Sequence, residues 1–394
     1  MSSFTANSTK PSGGNPLASD GFGKGRPGDH SGAVPTQSDQ RKIRALVVDD
    51  SVVIRRLVAD TLSADPHIDV VGVAANGRIA LSKIPQVQPH VVILDIEMPE
   101  MDGLETLREI RAHFPSVKVI MFSTLTERGA QATLDALSLG ASDYATKASN
   151  TGSIGASTRA LQEELIPKVK ALFAVVQAAP VQISPIRRDV ASSMLAPPRG
   201  RLQKPELVVI GVSTGGPNAL GELVPMIPEN FPLPILIVQH MPPMFTRLLA
   251  DRLHALTPLT VKEAEHGDVV QNSGIWIAPG NFHMRVSRRD GKFLLSLDQG
   301  EMENSCRPAV DVLFRSADEC CGGAVIAVVL TGMGQDGLRG ATQLKASGAR
   351  VLAQDEASSV VWGMPGYVAK AGIADRILPL PRIMPAVLEL LESR

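Results

Sequence analysis

Ile43-Arg44-Ala45-Leu46-Val47-Val48-Asp49-Asp50 is the stretch that decides the fold. A short, nearly continuous apolar run of this kind reads as a strand buried on both faces, and it stops at two acids. Ser51 comes next, a residue suited to cap a helix, and helical spacing continues to about Ala64. The unit then repeats. Val70 to Ala74 is a second strand, with Asn76 placed to cap the next helix. His90 to Leu94 is a third strand ending at Asp95, and Leu104 to His113 reads as a helix. Val117 to Phe122 is a fourth strand, Glu127 to Leu139 a helix, and Ser142 to Ala145 a short fifth strand just before Lys147. Strands alternating with helices imply parallel pairing with helices on both faces of the sheet.

Outward from this block the chain divides. Residues 1–40 are rich in Ser, Gly, Pro, Asn and Asp without apolar periodicity, the composition of a disordered tail. Ser157 to Val176 has helical spacing and closes a first domain over residues 41–176. Residues 177–204, rich in Ala, Pro, Arg and Ser, read as a linker. A second alternating pattern fills 205–394. Leu207 to Ile210 is a strand followed by Gly211-Val212-Ser213-Thr214-Gly215-Gly216 and a helix. Pro234 to Val238 is a strand ending at Gln239-His240, and Val261 to Ala264 and Ile275 to Ala278 are shorter strands. Phe282 to Leu297 alternates like a hairpin, and Ala309 to Cys320 is a helix. Ala324 to Leu330 is a strand ending in Thr331-Gly332-Met333-Gly334-Gln335-Asp336-Gly337, with a helix and the strand Arg350 to Ala353 after it. The fold class is α/β twice over, a (βα)5 domain and then a doubly wound, mostly parallel sheet.

Composition bounds the function. Of 394 residues 44% are hydrophobic and only 4% aromatic, so the cores must be aliphatic, as suits parallel sheets. A formal net charge of -1 offers no concentrated basic face, so no nucleic-acid partner is expected. No apolar run is long enough for a bilayer and the N-terminus has no apolar signal core, so no membrane insertion is expected. Cys306, Cys320 and Cys321 give neither a disulfide framework nor a zinc spacing, which favours a cytoplasmic protein.

Two constellations carry chemistry. In open parallel sheets ligands gather at the carboxyl ends of strands. Asp49-Asp50, Asp95, Ser123-Thr124 and Lys147 all fall there in the first domain. Any one alone would be an ordinary solvated loop residue. Three carboxylates together repel one another unless a divalent cation neutralises them, and hard oxygen donors favour Mg2+. An Asp beside that cation can attack a phosphoryl group, with lysine and a hydroxyl holding its oxygens. In the second domain Gly211-Val212-Ser213-Thr214-Gly215 matches the strand-to-helix turn that projects a nucleophilic serine, though such turns also bind phosphates or do nothing chemical. His240 and Asp336 end two further strands, and serine needs a base that an acid orients. The order Ser…His…Asp differs from that of the α/β-hydrolases, which points to another fold with convergent chemistry.

The first domain resembles the receiver domain of two-component response regulators, on Asp49-Asp50, the run from Leu94 to Gly103, Met121-Phe122-Ser123 and Lys147. The resemblance implies a flavodoxin-like fold, phosphorylation of Asp95, and Mg2+ held by Asp49, Asp50, Asp95 and the Glu97 backbone carbonyl. It makes Ser123 the switch hydroxyl, Lys147 the phosphate-binding lysine, and Tyr144 a candidate aromatic switch. Receivers often carry Pro after that lysine, whereas Ala148 stands here.

The second domain resembles the catalytic domain of the CheB family of chemotaxis methylesterases. The residues that carry this are 211–217, 238–242, 305–311 and 330–337. The resemblance implies hydrolysis of glutamyl methyl esters on methyl-accepting chemoreceptors, and deamidation of selected receptor glutamines. Ser213 would be nucleophile, His240 base and Asp336 its orienting acid, with no cofactor in this domain. Met333 is the family's candidate oxyanion donor, through its backbone; Thr214 is a further donor or a support for His240. A chemotaxis histidine kinase would supply the phosphoryl group. Two rival readings are a receiver-controlled esterase for another substrate and a non-catalytic signalling scaffold.

Overall fold

The structure, a computed structural model, describes residues 42–147, 154–173 and 203–392. The expected tail at 1–40, nearly all of the linker, Ala148 and the end of the helix expected to reach Val176 lie outside the described residues.

The first domain runs β1 (Ile43–Val48), α1 (Val52–Ser63), β2 (Ile68–Ala74), α2 (Gly77–Val87), β3 (Val91–Asp95), α3 (Gly103–His113), β4 (Lys118–Ser123), α4 (Glu127–Ser138), β5 (Asp143–Thr146) and α5 (Ile154–Ala171). The caps act as the sequence suggests. Ser51 accepts from the Ile54 amide at 3.4 Å, and Asn76 from Ile79 at 3.0 Å. Asp102 caps α3 through the Glu105 amide, so that helix starts one residue earlier than expected. The five strands are parallel in the order β2-β1-β3-β4-β5, the flavodoxin-like arrangement. Chain direction across the sheet reverses between β1 and β3, which opens a crevice at their carboxyl ends.

The second domain runs β6 (Leu207–Val212), α6 (Gly216–Leu223), β7 (Ile235–Gln239), α7 (Phe245–His254), β8 (Thr260–Glu263), β9 (Val269–Val270) and β10 (Gly274–Ile277). It continues with β11 (His283–Arg289), β12 (Lys292–Asp298), α8 (Val310–Cys321), β13 (Val325–Val329), α9 (Leu338–Ala346), β14 (Arg350–Gln354), α10 (Met364–Lys370), β15 (Arg376–Leu378) and α11 (Leu380–Glu392). Seven strands form a wholly parallel sheet, β15-β14-β13-β6-β7-β10-β8. The expected hairpin, β11 with β12, leaves that sheet and pairs antiparallel with β9. The sequence reading had no counterpart for β9, β15, α7, α10 or α11. The two strands are short, and the helices lie between or beyond the stronger apolar runs.

Apolar side chains from alternate positions of the large sheet fill both faces. Leu207, Val209, Leu236 and Val238 pack toward α8 and α9, and Val208, Ile210, Ile235 and Ile237 toward α6, α7 and α11. The second of these cores is continuous with that of the first domain through Ala130, Leu134 and Leu137 of α4. Helix α4 packs on α6 and α7. The Tyr144 ring stacks on Phe245 at 5.1 Å and 9°. Beside them Arg252 pairs with Asp135 at 2.8 Å. The Thr214 hydroxyl donates to Asp143 Oδ2 at 2.9 Å in a buried bond. The first domain is thereby seated on the loop that carries Ser213.

Candidate active site and phospho-acceptor cluster

At the β1–β3 crevice Asp49 and Asp95 are buried and Asp50 is exposed, with an oxygen of each within 4.8 Å of the others. Lys147, following β5, reaches back across the sheet to lie 2.7 Å from Asp95 Oδ1 and 2.9 Å from Asp49 Oδ2. The second contact is too poorly aligned to be a hydrogen bond, so Asp49 Oδ2 is buried without one. Burial lifts the Asp95 carboxyl to about 6 and the Asp49 charge adds to it, while Lys147 opposes both. One ammonium thus faces three carboxylates. Hard oxygen donors short of positive charge suit Mg2+.

The residues around the crevice only partly follow expectation. Glu97 and Ser123 line the cleft of about 260 Å³ above Asp95. The Glu97 side chain points away to Arg128, at 3.5 Å, which leaves only its backbone for a ligand. Ser123 is buried and donates to the Gly129 carbonyl at 3.0 Å, turned toward α4. Tyr144 is fully packed against Phe245, with Lys168 4.8 Å from its ring centroid. Its aromatic ring belongs to the contact between domains.

In the second domain the three expected residues follow adjacent strands. Register pairs Val212 of β6 with Gln239 of β7, so Ser213 and His240 emerge side by side. Strand β13, on the other flank of β6, leads to the turn holding Asp336. Here too the chain reverses direction across the sheet, between β13 and β6. The serine turn is tight. Ser213 N donates to Thr331 O, Gly215 takes φ +77°, and a Cβ on Gly216 would lie 1.9 Å from Gln239 Oε1. Only glycine lets α6 start that close to β7.

His240 Nε2 lies 2.8 Å from Asp336 Oδ2. Asp336 is 2% exposed and accepts from the Val310, Asp311 and Gly337 amides and the Asn304 side chain as well. Burial works against its charge, but His240 and these donors hold the carboxyl below its usual range. Two of the amides open α8, whose N-terminal partial positive charge favours an anion there. Asn304, which the sequence reading passed over, also donates to the buried Asp311 and so separates two acids. It does so from a left-handed backbone, φ +52°, in a side chain given no role by its local sequence.

The support residues divide. Among the described residues neither the Thr214 nor the Met333 backbone N–H donates a hydrogen bond. The Thr214 side chain does not orient His240; it is committed to Asp143. That half of the Thr214 expectation is corrected, because the first domain supplies a buried acceptor invisible in local sequence. The Met333 side chain packs beside Val361 against the core of the first domain. Ser213 makes no side-chain hydrogen bond among the described residues. With Nε2 on Asp336, only Nδ1 is left to act as base, and Cys306 Sγ lies 3.6 Å from it. Burial opposes charge on His240, but the Cys306 and Asp336 charges and bonds lift the imidazole to about 10. Cys306 was weighed only for disulfide and zinc spacing. Its partner is 66 residues away, so no spacing rule finds it.

Comparison with known proteins agrees with both halves. The family model for CheB methylesterase matches residues 208–387, and that for the response regulator receiver domain matches 45–159. A protein-glutamate methylesterase/protein-glutamine glutaminase of Trichodesmium erythraeum is 51% identical over 347 residues, 87% of this chain and 97% of that one. One from Nocardioides is 52% identical over 350 residues, covering 88% and 94%. The crystal structure of the Thermotoga maritima CheB methylesterase catalytic domain is 46% identical and covers 48% of this chain and 100% of that one, with TM-score 0.47. With two adjacent family models matching its two domains and relatives about half identical matched along nearly their whole length, the chain belongs to the CheB family of response-regulator methylesterases.

Proposed function

We propose that the chain hydrolyses glutamyl methyl esters on chemoreceptors, releasing methanol, deamidates selected receptor glutamines, and is switched by phosphorylation of its receiver domain. One observation carries the chemistry. His240 is fixed by an Asp336 that four other donors hold in place, beside the turn that presents Ser213. The Ser213 hydroxyl attacks the ester carbonyl carbon while His240 Nδ1 takes its proton. The oxyanion draws on the free Met333 and Thr214 amides. Collapse breaks the ester C–O bond, and the methoxide leaves as methanol with the proton from His240. Water, deprotonated by His240, then attacks the acyl-serine and regenerates it. With a glutamine substrate the leaving group is ammonia. Asp336 keeps Nε2 protonated and offsets the charge on the ring.

Asp95 accepts the phosphoryl group from a chemotaxis histidine kinase. Asp49, Asp50, Asp95 and the Glu97 carbonyl would hold Mg2+, which supplies charge neutralisation at the phosphoryl oxygens. Lys147 and Ser123 hold those oxygens, for which Ser123 must leave Gly129 and turn to the crevice. That rotation loosens α4, the helix seated on α6 and α7, and weakens the contact beside Ser213. The docked receiver, bonded through Asp143 to the residue after Ser213 and stacked through Tyr144 on Phe245, is the resting state. No helix among the described residues is long and apolar enough to cross a membrane, and the protein works in the cytoplasm on the receptors' internal portions.

The test is methanol release from methylated chemoreceptor with and without a small-molecule phosphodonor and Mg2+. Release that rises with phosphodonor, vanishes in Ser213→Ala and loses only its stimulation in Asp95→Asn supports the whole reading. Near-normal release by Ser213→Ala refutes the triad. No release from folded wild type, with receptors of its own cell, leaves the scaffold or a different ester.

A further inference from the structure

Cys306 stands outside the chemistry just described, yet its thiol faces the one ring nitrogen that the reaction needs. We propose that Cys306 Sγ and His240 Nδ1 form a seat for a thiophilic divalent cation, Zn2+ above all, and that its binding shuts the hydrolytic site. The proposal rests on the triad reading only for that consequence; binding stands on geometry alone.

The distance fits. Zinc–sulfur and zinc–nitrogen bonds of about 2.3 and 2.0–2.1 Å at a tetrahedral angle place the two donors about 3.5 Å apart. Here they are 3.6 Å apart. The imidazole is also prepared as metal-binding imidazoles are, with its far nitrogen held by a carboxylate that fixes the ring's orientation and tautomer. Asp336 does this from 2.8 Å. The same Asp336 lies within 4.8 Å of both donors, but its oxygens already serve five donors, so it acts on the ring and leaves the cation to sulfur and nitrogen. Remaining positions fall to water, because both Cys306 and His240 are part-exposed.

The loop that brings Cys306 there is firmly built. Glu303 takes a two-pronged ion pair from Arg315, Asn304 clamps Asp311 and Asp336, and Arg307 donates to Asn281 and to two backbone carbonyls. Asn304 and Ser305 both adopt left-handed backbone, φ +52° and +62°, a conformation that persists only where the surroundings enforce it. Donor chemistry separates this seat from the receiver crevice: thiolate and imidazole select zinc-like cations, and carboxylates and carbonyls select Mg2+. On binding, the Cys306 thiol proton and the proton that the imidazolium carries on Nδ1 both go to solvent, and the Nδ1 lone pair is given to the cation. It can then take no proton from Ser213.

The experiment titrates the full chain with Cd2+ and follows thiolate-to-metal charge-transfer absorbance, which carboxylate sites do not produce. It compares wild type, Cys306→Ala, Cys306→Ser and a Cys320→Ser/Cys321→Ser double variant. We expect one saturable equivalent in wild type and in the double variant, and none in either Cys306 variant. In parallel, basal ester hydrolysis without phosphodonor should fall with Zn2+ in wild type and recover with a zinc-selective chelator. Losing the carboxylate behind a metal-bound imidazole typically costs about 10–100-fold in affinity, so losing the thiolate should raise the inhibitory Zn2+ concentration at least as much. Because the Cys306 variants shift the pH dependence of His240, each inhibition curve is read against that variant's own zinc-free rate. A wild type without the band, or Cys306 variants that retain it, overturns the seat. A normal band in a wild type that hydrolyses no ester leaves the seat standing and refutes the triad instead.

Discussion

Replacing Asp143 by Ala removes the acceptor of the one buried hydrogen bond between the receiver and the residue after the nucleophile. Asp143 is 4% exposed and Thr214 6%, so water cannot take over for either. A hydrogen bond to a charged group contributes about 1.5–3 kcal/mol. At 1.4 kcal/mol per factor of ten, docking of the receiver should weaken about 10–150-fold. The other polar contacts at this face cannot match it. Arg252 and Asp135 are 32% and 45% exposed, and such pairs contribute about 0–1 kcal/mol. Arg247 and Glu127 are more exposed still. The assay is methanol release without phosphodonor. Basal release should rise toward the phosphodonor-stimulated ceiling, and the ratio of stimulated to basal rate should shrink. Asp143→Asn, whose single uncharged amide oxygen can accept from Thr214 or from the Tyr144 amide but not both, should fall between wild type and Asp143→Ala. A double-mutant cycle with Thr214→Val, read by thermal denaturation, isolates the pair. Unchanged basal release in Asp143→Ala, with a coupling below about 0.5 kcal/mol, would refute the reasoning that this bond holds the receiver down.

Other outcomes follow from the same geometry. Hydrolysis needs neutral His240, so with the imidazole raised to about 10 the rate climbs with pH toward that value; Cys306→Ala removes the largest raising influence and should move the limb to lower pH in a kcat/KM profile. Asp50→Asn keeps both buried acids but loses the exposed one, so stimulation by phosphodonor should need more Mg2+ while basal release is unchanged, as a Mg2+ titration of each rate will tell. A Cβ on Gly211 would meet Val310 Cγ1 at 2.3 Å, where α8 begins and donates to Asp336. Overpacking of this kind costs about 1–3 kcal/mol, so Gly211→Ala should lower Tm at about 2–4 °C per kcal/mol and reduce kcat further by displacing the acid. An unchanged Tm would mean that α8 gives way freely.

Much of this was legible because it is local. Apolar runs such as Leu207 to Ile210 must be buried on both faces, and the polar residues at their ends must then gather along one edge of a sheet. That logic placed Asp49, Asp95, Ser213, His240 and Asp336 before any coordinates. It also gave Ser51 and Asn76 their caps, since a cap reaches only three residues along the chain. The sequence could not order the strands. The switch points beside β1 and β6 arise from which strand is added to which side, a choice made by packing in three dimensions. Nor could it find contacts between distant segments whose residues are ordinary in their own surroundings: Asn304 between Asp311 and Asp336, Asp143 beneath Thr214, Cys306 against His240. The spacing of the cysteines could not reveal that Cys306 lies 3.6 Å from His240. Closeness in space is decided by the 66 residues of folded chain between them, not by local sequence.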